Sequence, residues 1–143
     1  MAKQPTPQWQ PLEKLPFIAW AIDGMLESAE ENYANLQPAR KRPSMLDDYT
    51  IGRVIEVYTT QHNDLWLYDE QLKRWAALSL TAVQSQEVKR LTAQMKRLHE
   101  VLTAILALAD ELKEGTIEKV LAKSDAEVGL EFLLGLLGEQ RDE

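Results

Sequence analysis

The sequence predicts an all-α fold: a helical bundle built on two long antiparallel helices, with a shorter N-terminal and a shorter C-terminal helix packed on them. Three observations lead there. Apolar residues recur at spacings of three and four along most of the chain, the period of one helix face. Gly and Pro number only six each in 143 residues, and four of the prolines (Pro5, Pro7, Pro11, Pro16) fall within the first sixteen, so the interior holds few breakers. Two Ser/Thr-x-x-Glu/Gln motifs, Thr81 with Gln84 and Ser124 with Glu127, stand just ahead of apolar runs, the pattern of a capping box at a helix start.

Residues 1–11 read as a disordered N-terminal arm, and residues 12–138 as a single helical domain ending in a polar tail, 139–143. A first helix is predicted from Pro16, a residue suited to a first turn, to Leu36, with its apolar stripe on Leu15, Ile18, Ile22, Met25, Ala29, Tyr33 and Leu36. Pro38 and Pro43 close off "QPARKRPS" as a loop. The first long helix, about 45–77, starts after Ser44 as cap and carries Ile51, Val54, Tyr58, Gln61, Leu65, Tyr68, Leu72 and Trp75 on one face. Its weak point is "QHND" (61–64), where a kink or break is conceivable.

The second long helix, about 82–114, holds Val88, Leu91, Met95, Leu98, Leu102, Ile105, Ala109 and Leu112 at alternating spacings of three and four, a coiled-coil-like heptad seam. Val101, Leu106 and Leu108 widen its apolar arc, which calls for partners on more than one side. Gly115 ends it, "TIEKVLAK" (116–123) forms a short amphipathic turn or two, and a last helix starts at the Ser124–Glu127 box and runs to about Leu137.

Composition narrows the classes of function. No cysteine means no disulfide framework, thiolate metal site or cysteine nucleophile, and fits a cytoplasmic setting. No stretch approaches the roughly 20 apolar residues of a membrane span, and the opening residues lack a signal-peptide core. The net charge of −7 opposes general nucleic-acid binding, yet residues 37–100 hold 10 basic and 8 acidic groups between more acidic ends, which leaves room for a local basic face.

Catalytic grammar is absent. Neither His62 nor His99 has a glutamate three residues before it, so the Glu-x-x-His pairs of carboxylate-bridged di-metal bundles are missing. There is no His-Glu-x-x-His, phosphate-binding glycine loop or Gly-x-Ser-x-Gly elbow. His62 reads as a surface or capping group and His99 as a residue at the edge of the heptad seam. The pairs Asp47–Asp48, Asp69–Glu70 and Asp110–Glu111 are adjacent on helices, about 100° apart, and do not face each other. No catalytic residue, metal ligand or cofactor is predicted.

Two candidate contact surfaces remain. One is basic: Arg40, Lys41 and Arg42 between the prolines, and Lys89, Arg90, Lys96 and Arg97, which recur at seven-residue spacing beside the seam. The plainer reading is a solvated loop, whose charge suits the preceding helix C-terminus, and a solvated helix face; the sharper one is phosphate or nucleic-acid contact. The other is apolar: Phe132, Leu133, Leu134, Leu136 and Leu137 in "LEFLLGLLG" span more than one helix face. They suit either the most buried helix of the bundle or a surface for self-association. The sequence thus predicts a non-enzymatic helical interaction protein (an assembly subunit, adaptor or regulator) that forms a homodimer, has a possible protein partner and is not a membrane protein. Nucleic-acid binding through the basic middle region is the alternative.

Overall fold

The computed structural model describes residues 6–138, without the side chains of 123–126, 128, 131, 132 and 135–138. Four α-helices account for most of it: α1, Leu15–Leu36; α2, Asp48–Ala76; α3, Ala82–Leu112; and α4, Ile117–Gly138. Short 3-10 turns at Leu12–Lys14, Gln37–Arg40, Pro43–Met45 and Lys113–Gly115 join them.

Local chemistry sets most of the ends. Pro16 lies in the first turn of α1, where its missing N–H costs nothing. The cap of α2 is Asp47, not Ser44: its carboxylate accepts the Thr50 N–H at 2.7 Å, while Ser44 belongs to the 3-10 turn before it. The Thr81–Gln84 box closes in both directions, Gln84 N–H to Thr81 Oγ1 at 3.1 Å and Thr81 N–H to Gln84 Oε1 at 2.9 Å. Helix α2 runs unbroken through residues 61–64, because the buried face on either side keeps one register.

Register between helices follows from their cross-links. Asp23 meets Arg90 and Glu30 meets Arg97, a constant offset, so α1 runs parallel to α3. Asp48 meets Thr116 and Asp69 meets His99, so α2 runs antiparallel to it. Both α1 and α2 lie along α3 and scarcely touch each other's backbone. They meet through side chains, as where Asn32 Nδ2 donates to the Tyr58 hydroxyl.

Being covered from two sides explains the wide apolar arc of α3. All eight heptad positions are buried, and Val101 and Leu108 join them. The stripe of α1 is rotated by about one residue from the expected one. Ala19 and Leu26 are buried with Leu15, Ile22, Ala29 and Leu36, whereas Ile18, Met25 and Tyr33 are only partly covered. Ile18 turns toward Leu67 and Tyr68 on α2, with which it lines a cavity.

Two further expectations are corrected. Residues 117–138 form one helix, so the Ser124–Glu127 motif lies inside it rather than at its start. That helix does not pack along the two long ones either. Its principal contacts are with the turns at Pro43–Met45 and Lys113–Gly115, since α1 and α2 already cover α3. A dense set of bonds ties its first turn to the start of α2. Ile117 N–H reaches Leu46 O at 2.7 Å, Thr116 Oγ1 donates to Asp48 at 2.5 Å, Asp48 N–H reaches Glu118 at 2.8 Å and Lys119 Nζ reaches Asp48 at 3.3 Å. The Thr116 hydroxyl holds the Asp48 carboxyl below its usual range. Gly115 is needed here for close approach: a Cβ on it would lie 2.7 Å from Pro43 Cβ. No described helix is long and apolar enough to cross a membrane.

Candidate interaction surfaces

The structure separates the basic residues instead of gathering them. Arg40 lies 4.0 Å from Glu111 at the end of α3, while Lys41 and Arg42 are exposed beside it with no ion pair among the described residues. Arg97 is 14 residues from Glu111 along the same helix, about 21 Å at 1.5 Å per residue, so the loop triplet and the helical basic residues form two sites, not one. On α3 the two arginines are committed to α1. Arg90 makes a bidentate pair with Asp23 at 2.9 and 3.0 Å and also holds Glu87, and Arg97 holds Glu30 at 2.7 Å. The Arg90 hydrogen bonds keep the Asp23 and Glu87 carboxyls below their usual range, and Glu87 and Asp23 in turn raise the Arg90 guanidinium. Only Lys89 and Lys96 of this group are left without an ion pair among the described residues.

The histidines come together across α2 and α3. Their rings stand edge to face with centroids 5.9 Å apart, and His99 Nε2 lies 2.7 Å from Asp69. Among the described residues no group of three or more His, Asp or Glu side chains is arranged to hold a metal ion.

Of the proposed self-association residues, Phe132, Leu136 and Leu137 lie outside the described side chains. Leu133 and Leu134 are 60% and 46% exposed, and Val120, Leu121 and Leu130 on the same helix are also exposed. The reading of this segment as the most buried helix therefore fails for every apolar side chain of α4 whose exposure is described, apart from the half-covered Ile117 at its start. A second exposed apolar feature escaped the sequence reading: Phe17 and Trp20, an i, i+3 pair on α1 with ring centroids 6.1 Å apart. Its signal was present, since both lie off the apolar stripe.

The third feature is the segment before α1. The arm read as disordered is docked over residues 6–11; residues 1–5 lie outside the described ones. Gln71, 4% exposed on α2, accepts the Gln10 N–H at 2.6 Å and donates back to the Gln10 carbonyl at 3.3 Å. The buried Trp75 indole donates to the same carbonyl at 3.0 Å. Trp9 lies under the Arg74 guanidinium, 4.4 Å from the ring centroid, and meets Trp66 edge to face at 6.3 Å. Between this strap and Ile18, Leu67 and Tyr68 is an open cavity of about 300 Å3.

The strap rests on three hydrogen bonds to Gln10 and on the contacts of Trp9 with Arg74 and Trp66. No sequence signal marks Gln71 and Arg74 as its receivers, because their partners are more than 60 residues away.

Comparison with protein-family models, with curated proteins and with solved structures finds no match for this chain.

Proposed function

We propose that this chain is a non-enzymatic helical interaction protein that self-associates through α4. The observation that carries the reading is the exposure of Leu130, Leu133 and Leu134, at 46–60%, on one face of a helix whose first turn is locked to the bundle and whose principal contacts are with the turns at Pro43–Met45 and Lys113–Gly115. Soluble proteins seldom leave a contiguous apolar helix face open, and a second copy covers it through the self-complementary contact of a two-fold dimer. The lock at Thr116, Asp48 and Gly115 supports the same reading, since it gives the helix a fixed direction.

The test is molar mass by light scattering on the full chain across a concentration series. A dimer is expected at micromolar concentration, and the pair Leu130→Glu, Leu133→Glu is expected to give a monomer with unchanged helix content. A wild-type chain that remains monomeric at about 100 μM, a concentration that would populate any dimer with micromolar affinity, overturns the reading.

A further inference from the structure

The clasp around the strap reads a peptide main chain. Gln71 and Trp75 direct their buried polar atoms at the N–H and C=O of a single residue, Gln10. That residue's side chain is left unread, for its amide turns back to the Gln8 carbonyl on the surface. The side chain before it is read by the Arg74 guanidinium and the Trp66 ring. Prolines flank the segment at Pro7 and Pro11, and Pro11 has φ −67° and ψ 158°, the polyproline II conformation. Main-chain hydrogen bonds to an extended segment, plus an aromatic-lined groove for a proline-flanked side chain, are the elements by which proline-rich peptides are recognised. The strap leaves an open cavity of about 300 Å3 against Ile18, Leu67 and Tyr68, room for side chains larger than its own Thr6, Pro7 and Gln8.

From these observations we infer that the groove between α1 and α2 is a docking site for an extended, proline-flanked peptide of a partner protein, with an aromatic residue immediately before the clamped position, and that residues 6–11 occupy it in cis as a competing pseudo-ligand. The strap is held by few contacts, three hydrogen bonds at Gln10 and the Trp9 ring against Arg74 and Trp66, which makes it displaceable. A partner segment that fills the cavity gains contacts that the strap lacks. Exchange of the strap between two copies gains none and must compete with a tethered segment at roughly millimolar effective concentration. The site is independent of α4, because Gln71 and Trp75 lie near the C-terminal end of α2 and α4 is anchored at the opposite end.

The experiment uses the full chain, its Trp9→Ala variant and its Gln10→Pro variant, which removes the clamped N–H without altering the groove. Each is titrated by fluorescence polarisation with a labelled peptide of residues 4–13. A panel of the same peptide is titrated in parallel, with larger apolar residues in place of Thr6, Pro7 or Gln8. Both variants are expected to bind the parent peptide about tenfold tighter than wild type, because the competitor is weakened. Replacing the peptide's Trp by Ala abolishes binding, and at least one panel member binds wild type and shifts Trp9 fluorescence. The inference is overturned if no peptide binds any of the three proteins below about 1 mM. It is also overturned if the variants gain nothing over wild type, or if the parent peptide binds a Gln71→Leu, Arg74→Ala chain as well as it binds Trp9→Ala. A wild-type dimer that Trp9→Ala converts to monomer assigns the groove to a second copy and equally refutes the partner peptide.

Discussion

Replacing Leu102 by alanine tests the arrangement on which the rest of the fold depends, a central α3 covered on two sides. Leu102 is fully buried, in the middle of the heptad seam, with Leu98 and Ile105 buried on either side of it along the helix. Large-to-small changes at such sites cost ~2–5 kcal/mol, and the upper part of that range applies where the surroundings cannot collapse into the void. Here α1 and α2 both bear on α3, so neither can move in without losing its own packing, and a loss of about 3–5 kcal/mol is expected. For a chain between the usual small and medium size classes, that is a fall in Tm of roughly 10–20 °C. Far-UV circular dichroism in thermal and urea melts reads it, at one protein concentration so that association does not enter the comparison. Thr103→Ala, on the exposed neighbour, serves as control and is expected to change stability by no more than ~0.5 kcal/mol. A Leu102→Ala chain melting within about 3 °C of wild type, a shift of under ~1 kcal/mol, would refute the two-sided packing of α3.

Gly115→Ala places a Cβ 2.7 Å from Pro43 Cβ and is expected to cost ~1–3 kcal/mol; adding Pro43→Gly restores most of it, as a double-mutant cycle in thermal melts would show. Gly24→Ala has the opposite sign: nothing lies within 4 Å of the added Cβ on an exposed helical position, and a gain of ~0.5–1 kcal/mol in urea denaturation is expected. The Asp23 carboxyl is held down by Arg90 in the folded state, so its contribution is present above the unfolded value and lost as pH falls through the folded one. Asp23→Asn is therefore expected to lower stability at pH 7 by the ~0.2–1 kcal/mol typical of an exposed pair. In melts at a series of pH values that difference closes in acid, and at neutral pH it shrinks with added salt.

The parts of this fold that were legible in the sequence are those fixed by neighbours along the chain. The seam of α3 and the Thr81–Gln84 box depend on side chains three and four apart, and both form as read. The rotation of α1 was not legible, because burial of Ala19 and Leu26 ahead of Ile18 and Met25 is decided by packing against other helices. Ser124–Glu127 has the form of a cap without the role, since the helix had already begun at Ile117, where Thr116 and Glu118 are bonded to Asp48. The pairing of Arg90 and Arg97 with α1 rests on a register set by packing 67 residues apart, so spacing alone could place them on one helix side but not show them already neutralised. The strap is the extreme case: a proline-rich opening reads as loose until the Gln71 and Trp75 that receive it are brought alongside.

The central position of α3 also divides the molecule in time. The connection from α2 to α3 spans only residues 77–81, so these two helices form a hairpin with a short loop to close. Helix α1 reaches its place on α3 through pairs 67 positions apart in the chain. Local contacts form faster than distant ones. The hairpin is therefore expected to form first, and amide exchange slower in α2 and α3 than in α1 would show that α1 with its strap opens ahead of it. Such an opening would bare the side of α3 around Val101 with the hairpin intact, an apolar surface that the closed molecule does not present.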